Sequence, residues 1–269
     1  MWGEAPPHAH ALATSSASLW TALKTHPEGI PDDMREQRRA PIGRYFERLV
    51  AFWLAKQPGV SNFHENLRVQ GASETLGEID MLFTYALHVY HWELAVKFYL
   101  GVGDLSSASS WHGPRARDRL DTKLDKLLGK QLQLPSHPEA AACLAALGMT
   151  SPESYAFVKG YLFHPIDCWQ DRSVELPAGV NPDHKRGWWL PVQRCGELHS
   201  LPAAGWQILQ KPDWLAPWRG EPEILPSELT TSLARCVGEY GPTMLAAVGD
   251  DGSELHRGFV VPETWTPIR

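Results

Sequence analysis

Cysteine is scarce and scattered in this sequence. Its four cysteines, Cys143, Cys168, Cys195 and Cys236, form no CxxC pair, so they indicate neither a structural zinc site nor a disulfide framework. Reduced thiols in a cytoplasm fit this pattern, and a cytoplasmic protein is expected. Long apolar runs are missing too. No stretch approaches the roughly 18 apolar residues of a membrane span, and the opening MWGEAPPHAHALATSS lacks the basic and continuous apolar parts of a secretory signal. No membrane partner is therefore expected. Nor is there an excess of positive charge: a net charge of -6 argues against broad, non-specific nucleic-acid binding, which needs a large cationic surface to release counterions. A local basic groove is compatible with it.

What is present is the balance of a folded protein. With 43% apolar and 21% charged residues over 269 positions, the chain can bury one large core or two smaller ones, and the disordered and fibrous classes are excluded. Residues 1–38 mix Pro, Ala, Ser and His before a short apolar patch, and read as a mobile tail with one short helix. Residues 39–170 carry the strong periodicities of an α/β core. Residues 171–269 turn to Pro, Gly and Trp with short strand-like pieces, as expected of an α+β subregion packed on that core. Six of the twelve tryptophans lie at or beyond Trp188, where packing is their default role.

Within the core, Ile42, Tyr45, Phe46, Leu49, Val50 and Trp53 recur at helical spacing between Pro41 and Lys56, and Pro58-Gly59 ends the helix. Glu47 sits at the border of that buried stripe. Alternation then predicts strands over 63–70, 78–84 and 88–100. In the second, Glu78, Asp80 and Leu82 share a face opposite Ile79, Met81 and Phe83. In the third, His91, Glu93, Ala95, Lys97 and Tyr99 lie opposite Trp92, Leu94, Val96 and Phe98. That strand is apolar enough to be central, yet it carries an acid and a lysine, and buried charges cost several kcal/mol unless paired or bound to a metal.

After Gly113-Pro114 the pattern predicts a helix from Arg115 to Leu132. Leu120, Leu124, Leu127 and Leu128 form its apolar face, while Arg119, Lys123, Lys126 and Lys130 make a narrow cationic stripe apart from Asp118, Asp121 and Asp125. Such segregation is what a phosphate-facing helix would show, although a solvated face is the common alternative. Gln131 falls on the leucine face, where its amide needs a partner. An alanine-rich helix over 139–147, a strand over 154–163, strand pieces near 187–192 and 205–210, a helix over 226–239 and closing strands complete the expected order.

The phrases GRYFERLVAFWL, LGEIDMLF, HWELAVKFYL, GPRARDRLDTKLDKLLGKQL and RGFVVPETW resemble the bacterial family known as domain of unknown function 1853. The order of elements and acids resembles the PD-(D/E)XK nuclease superfamily. That resemblance implies a restriction-endonuclease-like mixed sheet flanked by helices, with a Trp-rich carboxyl-terminal extension. It also implies a Mg²⁺- or Mn²⁺-dependent nuclease, with Asp80, Glu93 and Lys97 as catalytic residues and Asp80 and Glu93 holding the metal. Glu47 resembles the helix acid that many superfamily members add to the metal shell. Gln131, with the cationic stripe, is expected at the nucleic acid.

One departure bears on activity. The superfamily places its acid two residues before the lysine, and here that position is Ala95. Glu93 lies one pleat repeat further back on the same face, and Glu78 is a candidate to compensate. A catalytically silent module that binds nucleic acid or a protein partner is therefore the alternative.

Overall fold

A computed structural model describes residues 40–266; the expected N-terminal tail and short helix lie outside the described residues. Mixed α/β architecture is observed, with a large mixed sheet flanked by helices. Its strands, in chain order, are β1 (Ser61–Gln70), β2 (Thr75–Tyr85), β3 (His88–Gly101), β4 (Trp111–His112), β5 (Glu153–Pro165), β6 (Lys185–Pro191), β7 (Gly205–Ile208), β8 (Thr243–Val248) and β9 (Glu254–Val261). Among the described residues the α-helices are α1 (Ile42–Ala55), α2 (Leu120–Lys126), α3 (Pro138–Ala146) and α4 (Leu229–Tyr240). Hydrogen bonding links the strands in the order β1-β2-β3-β5-β6-β9-β8-β7, with β4 on β3. The chain divides into two compact units, residues 40–96 with 123–159 and residues 97–122 with 160–266. This division crosses the compositional change near residue 171, because β3 and β5 each run through both units.

In the first unit, α1 lays Val50, Trp53 and Leu54 on Met81, Phe83, Tyr90, Trp92 and Leu94. Trp92 stacks on Phe157 at 5.2 Å and meets Phe83 edge-on at 5.0 Å, geometries that add to simple area burial. The helix stops where Gln57 turns its amide back onto the carbonyl of Trp53 at 2.9 Å. A second cluster joins Val69, Ile79 and Leu82 to Leu134, Ala140 and Leu144.

Strict alternation on β2 fails between these clusters. Ile79 belongs to the same cluster as Leu82, whereas Met81 packs with Phe83 against α1. Asn66 of β1, with φ at +52°, falls between the paired positions Glu65↔Met81 and Leu67↔Ile79. A left-handed residue in mid-strand re-aims its neighbours, and here the break falls beside Asp80.

The predicted helix over 115–132 begins later, at Leu120. Gly113 donates to the carbonyl of Asp118 and Ala116 to that of Gly113, both at 2.7 Å, with Ala116 at φ +60°. Residues 113–118 thus close as a turn, and His112 bridges to Arg119. Past Lys126 the helix widens into a π turn, Leu127–Gln131, in which Leu132 donates to the carbonyl of Leu127 at 2.9 Å.

The second unit has its own core, in which Trp188, Leu190, Leu198 and Trp206 meet Leu229, Leu233 and Val237 of α4. Strands β5, β6 and β9 run parallel, and β8 returns antiparallel between β9 and β7. Two glycines are required by close approach. A Cβ on Gly258 would lie 2.1 Å from the indole of Trp188, and one on Gly160, at φ +127°, would lie 1.7 Å from the carbonyl oxygen of Lys97.

Candidate functional site

The β2–β3 ladder is paired from Tyr85↔His88 up to Met81↔Trp92. At the next position the amide of Leu94 donates to Asp80 Oδ2 at 2.7 Å. A carboxylate has taken over from a main-chain acceptor, so an acid is fixed at the notch where the ladder ends. Glu93, wholly buried, enters from the neighbouring strand.

Glu93 is held through both oxygens. His91 Nε2 donates to Oε1 at 2.8 Å, and the amide of Gln131 donates to Oε2. The other ring nitrogen of His91 lies 3.0 Å from Ser154 Oγ, a hydroxyl that can donate or accept there. The chain Ser154–His91–Glu93 fixes the orientation of the imidazole and of the carboxylate. Gln131 comes from the π turn, a feature often found at functional sites because it rotates side chains out of helical register. Its carbonyl oxygen in turn accepts from Lys123 at 3.2 Å.

The electrostatics follow from burial. Loss of solvent and then the charge of Glu93 push the Asp80 carboxyl up to about 7, against the Leu94 hydrogen bond and Lys123, with Glu47 adding to the rise. Glu47 on α1 is also raised, first by burial; Arg44 and Lys123 oppose the shift while Glu78 and Glu93 reinforce it. Asp80, Glu93 and Glu47 therefore act on one another, with Lys123 as a cation felt by both Asp80 and Glu47.

The other expected residues are distributed differently. Glu78 forms a largely exposed ion pair with Arg68 at 3.1 Å. Lys97 belongs to the second unit, where its Nζ lies 2.5 Å from Asp118 and the Tyr99 hydroxyl donates to the same carboxylate oxygen at 3.3 Å. Arg119 is not on a helical face with the lysines; it grips Asp121 through two nitrogens, at 3.0 and 2.5 Å. Lys126 and Lys130 are exposed. Two residues at the site have no role assigned from the sequence, His91 and Ser154. His91 was detectable as a polar side chain two positions from Glu93 on a central strand, but Ser154 arrives from β5 and left no local signal.

Among the described residues no group of three or more His, Cys, Asp or Glu side chains is arranged to hold a metal ion. The candidate oxygen donors are the acids Asp80 and Glu93, of which Glu93 already accepts from His91 and Gln131 through both oxygens. Oxygen donors in low-dielectric surroundings suit Mg²⁺, which is commonly held by one or two carboxylates and keeps several waters. No helix among the described residues is long and apolar enough to cross a membrane.

No curated protein and no solved structure matches the chain. A family model does: the domain of unknown function DUF1853 matches residues 2–261, nearly the full length, and the chain belongs to that family.

Proposed function

We propose that the chain is a Mg²⁺-dependent phosphodiesterase that cleaves DNA or RNA, built on a restriction-endonuclease-like fold, with Asp80 and Glu93 as its ion-holding pair. The observation that carries this reading is the meeting of Asp80 and Glu93 at the end of the β2–β3 ladder, each oriented by dedicated donors. Buried acids crowded together cost stability, and such groups cluster at functional sites. The raised affinity of Asp80 for a proton, caused by burial and by Glu93, supports a site where a cation would relieve the crowding of acids.

A divalent ion there would polarise a phosphoryl oxygen and activate a water. The protein's own groups do the rest. His91 and Gln131 keep Glu93 aimed, the Leu94 amide orients Asp80, and Glu47 orders water at the edge of the pair. Lys123 offsets negative charge building on the phosphate, and Lys126 and Lys130 reach flanking phosphates. Lys97, the lysine implied by the superfamily resemblance, is the competing choice for the charge-offsetting role.

A cleavage assay on a mixed DNA and RNA panel with Mg²⁺ or Mn²⁺ tests the proposal. Wild type is expected to cleave, Asp80→Asn to be inactive, and Lys123→Ala and Lys97→Ala to show which lysine matters by a loss on the order of 100-fold or more. A specific observation favours a second reading, a silent nucleic-acid- or protein-binding module: both oxygens of Glu93 are already engaged, and Ala95 occupies the superfamily's acid position. A wild type that binds metal and cleaves nothing on the panel would select that reading.

A further inference from the structure

We propose that the second unit carries a binding site for a phosphate group in the β5–β6 connection, with Arg186 and Arg172 as its ligands. The site stands apart from the nuclease proposal and rests on different residues.

Several arginines of the protein are neutralised by a carboxylate. Arg194 is gripped by Asp167 and Glu197, Arg257 by Glu254, and Arg119 by Asp121. Arg186 differs. Its Nε donates to the Trp169 carbonyl at 3.1 Å, and one terminal nitrogen donates to the Asp171 carbonyl at 2.9 Å and to His164 Nδ1 at 3.2 Å. All three acceptors are neutral. The Asp171 carboxylate turns away to the amide and hydroxyl of Ser173. The guanidinium is therefore fixed in place with its full positive charge, and Nη1 has no hydrogen-bond partner among the described residues.

The histidines that hold it are themselves set in one direction. An arginine can only donate, so His164 Nδ1 accepts from it and His164 Nε2 carries the proton. That proton points at His184 Nε2, 3.3 Å away, and His184 Nδ1 donates to the Asn181 carbonyl at 2.9 Å. Both imidazoles are neutral in this chain of bonds. Burial, helped by Arg186, holds them well below the usual histidine range, at about 3 and about 4. They orient the arginine without competing for its charge.

Arg186 opens onto a surface hollow of about 760 Å³, which Arg172 also lines, and both arginines line an adjoining hollow of about 470 Å³ with Lys185. Arg172 is exposed. Two guanidiniums and an ammonium around one hollow match a tetrahedral dianion, which accepts several charge-assisted bonds at once. Asp183, on the wall of both hollows, opposes an anion and sets a limit on affinity.

Calorimetric titration with inorganic phosphate in EDTA tests the site without involving a divalent metal at Asp80. Wild type is expected to bind one phosphate saturably. Arg172→Ala and Arg186→Gln should each weaken binding roughly tenfold, while Asp183→Asn should tighten it. Arg172 and Asp183 are exposed, so their variants separate binding from folding even if Arg186→Gln proves unstable. Competition identifies the source of the phosphate: displacement by a 5′-phosphorylated oligonucleotide, and not by its unphosphorylated form, assigns a nucleic-acid end. Displacement by neither assigns a small phosphate compound. The proposal is overturned if wild type fails to saturate below about 10 mM, or if Arg172→Ala and Asp183→Asn both bind phosphate as wild type does.

Discussion

Replacing Asp80 by Asn should make the metal-free protein more stable at neutral pH. Asparagine keeps an acceptor for the Leu94 amide but removes the charge that Glu93 and burial oppose. An acid whose folded pKa is raised binds its proton more tightly in the folded state, so stability is greatest when it is protonated and falls as pH rises between the unfolded and folded values. For Asp80 that window runs from its ordinary 3.8 to about 7. At 1.36 kcal/mol for each pKa unit the loss across the window is about 4 kcal/mol as an upper value, and sharing with Glu93 brings the expected figure to about 2–4 kcal/mol. Urea unfolding in EDTA, repeated from pH 4.5 to pH 8, measures it. Asp80→Asn should match wild type at the acidic end and exceed it at the alkaline end. Parallel pH profiles for the two proteins would refute the claim that Asp80 is held against its charge.

Gln131→Ala leaves one oxygen of a fully buried carboxylate without its donor, so a loss of about 1–3 kcal/mol is expected in denaturant unfolding; an unchanged midpoint would mean that the amide does not hold Glu93. Gly160→Ala should be far worse, on the order of 4 kcal/mol or more, because the new methyl meets the Lys97 carbonyl and the backbone sits at φ +127°. A wild-type thermal melt for that variant would contradict the close approach of the two strands.

Much of the fold was legible locally. The i, i+3, i+4 stripe of α1 and the alternation of β3 are consequences of one element burying one face, and both were recovered within a residue or two. The superfamily resemblance drew attention to Asp80 and Glu93, and in the structure the charge of Glu93 acts on Asp80. Gln131 likewise announced its need for a partner, though its partner, Glu93, is 38 residues away.

What escaped depends on partners distant in sequence or on small departures from regular geometry. Pro114 looked like a helix start, yet the Gly113–Asp118 hydrogen bond closes a turn there. The π turn is a single extra residue in a helical register, invisible to a 3.6-residue period. The break of alternation at Asp80 accompanies a left-handed Asn66 on the neighbouring strand, and the orientation of His91 depends on Ser154, 63 residues further on.

Calorimetric titration of Mg²⁺ into wild type and Asp80→Ala, at pH 8 and without nucleic acid, tests the metal-centred proposal most directly. Wild type is expected to bind one ion with release of any proton still held by the acid pair, and Asp80→Ala to bind at least tenfold more weakly. Identical isotherms for the two proteins, or no binding by wild type, would contradict a metal site at Asp80 and Glu93.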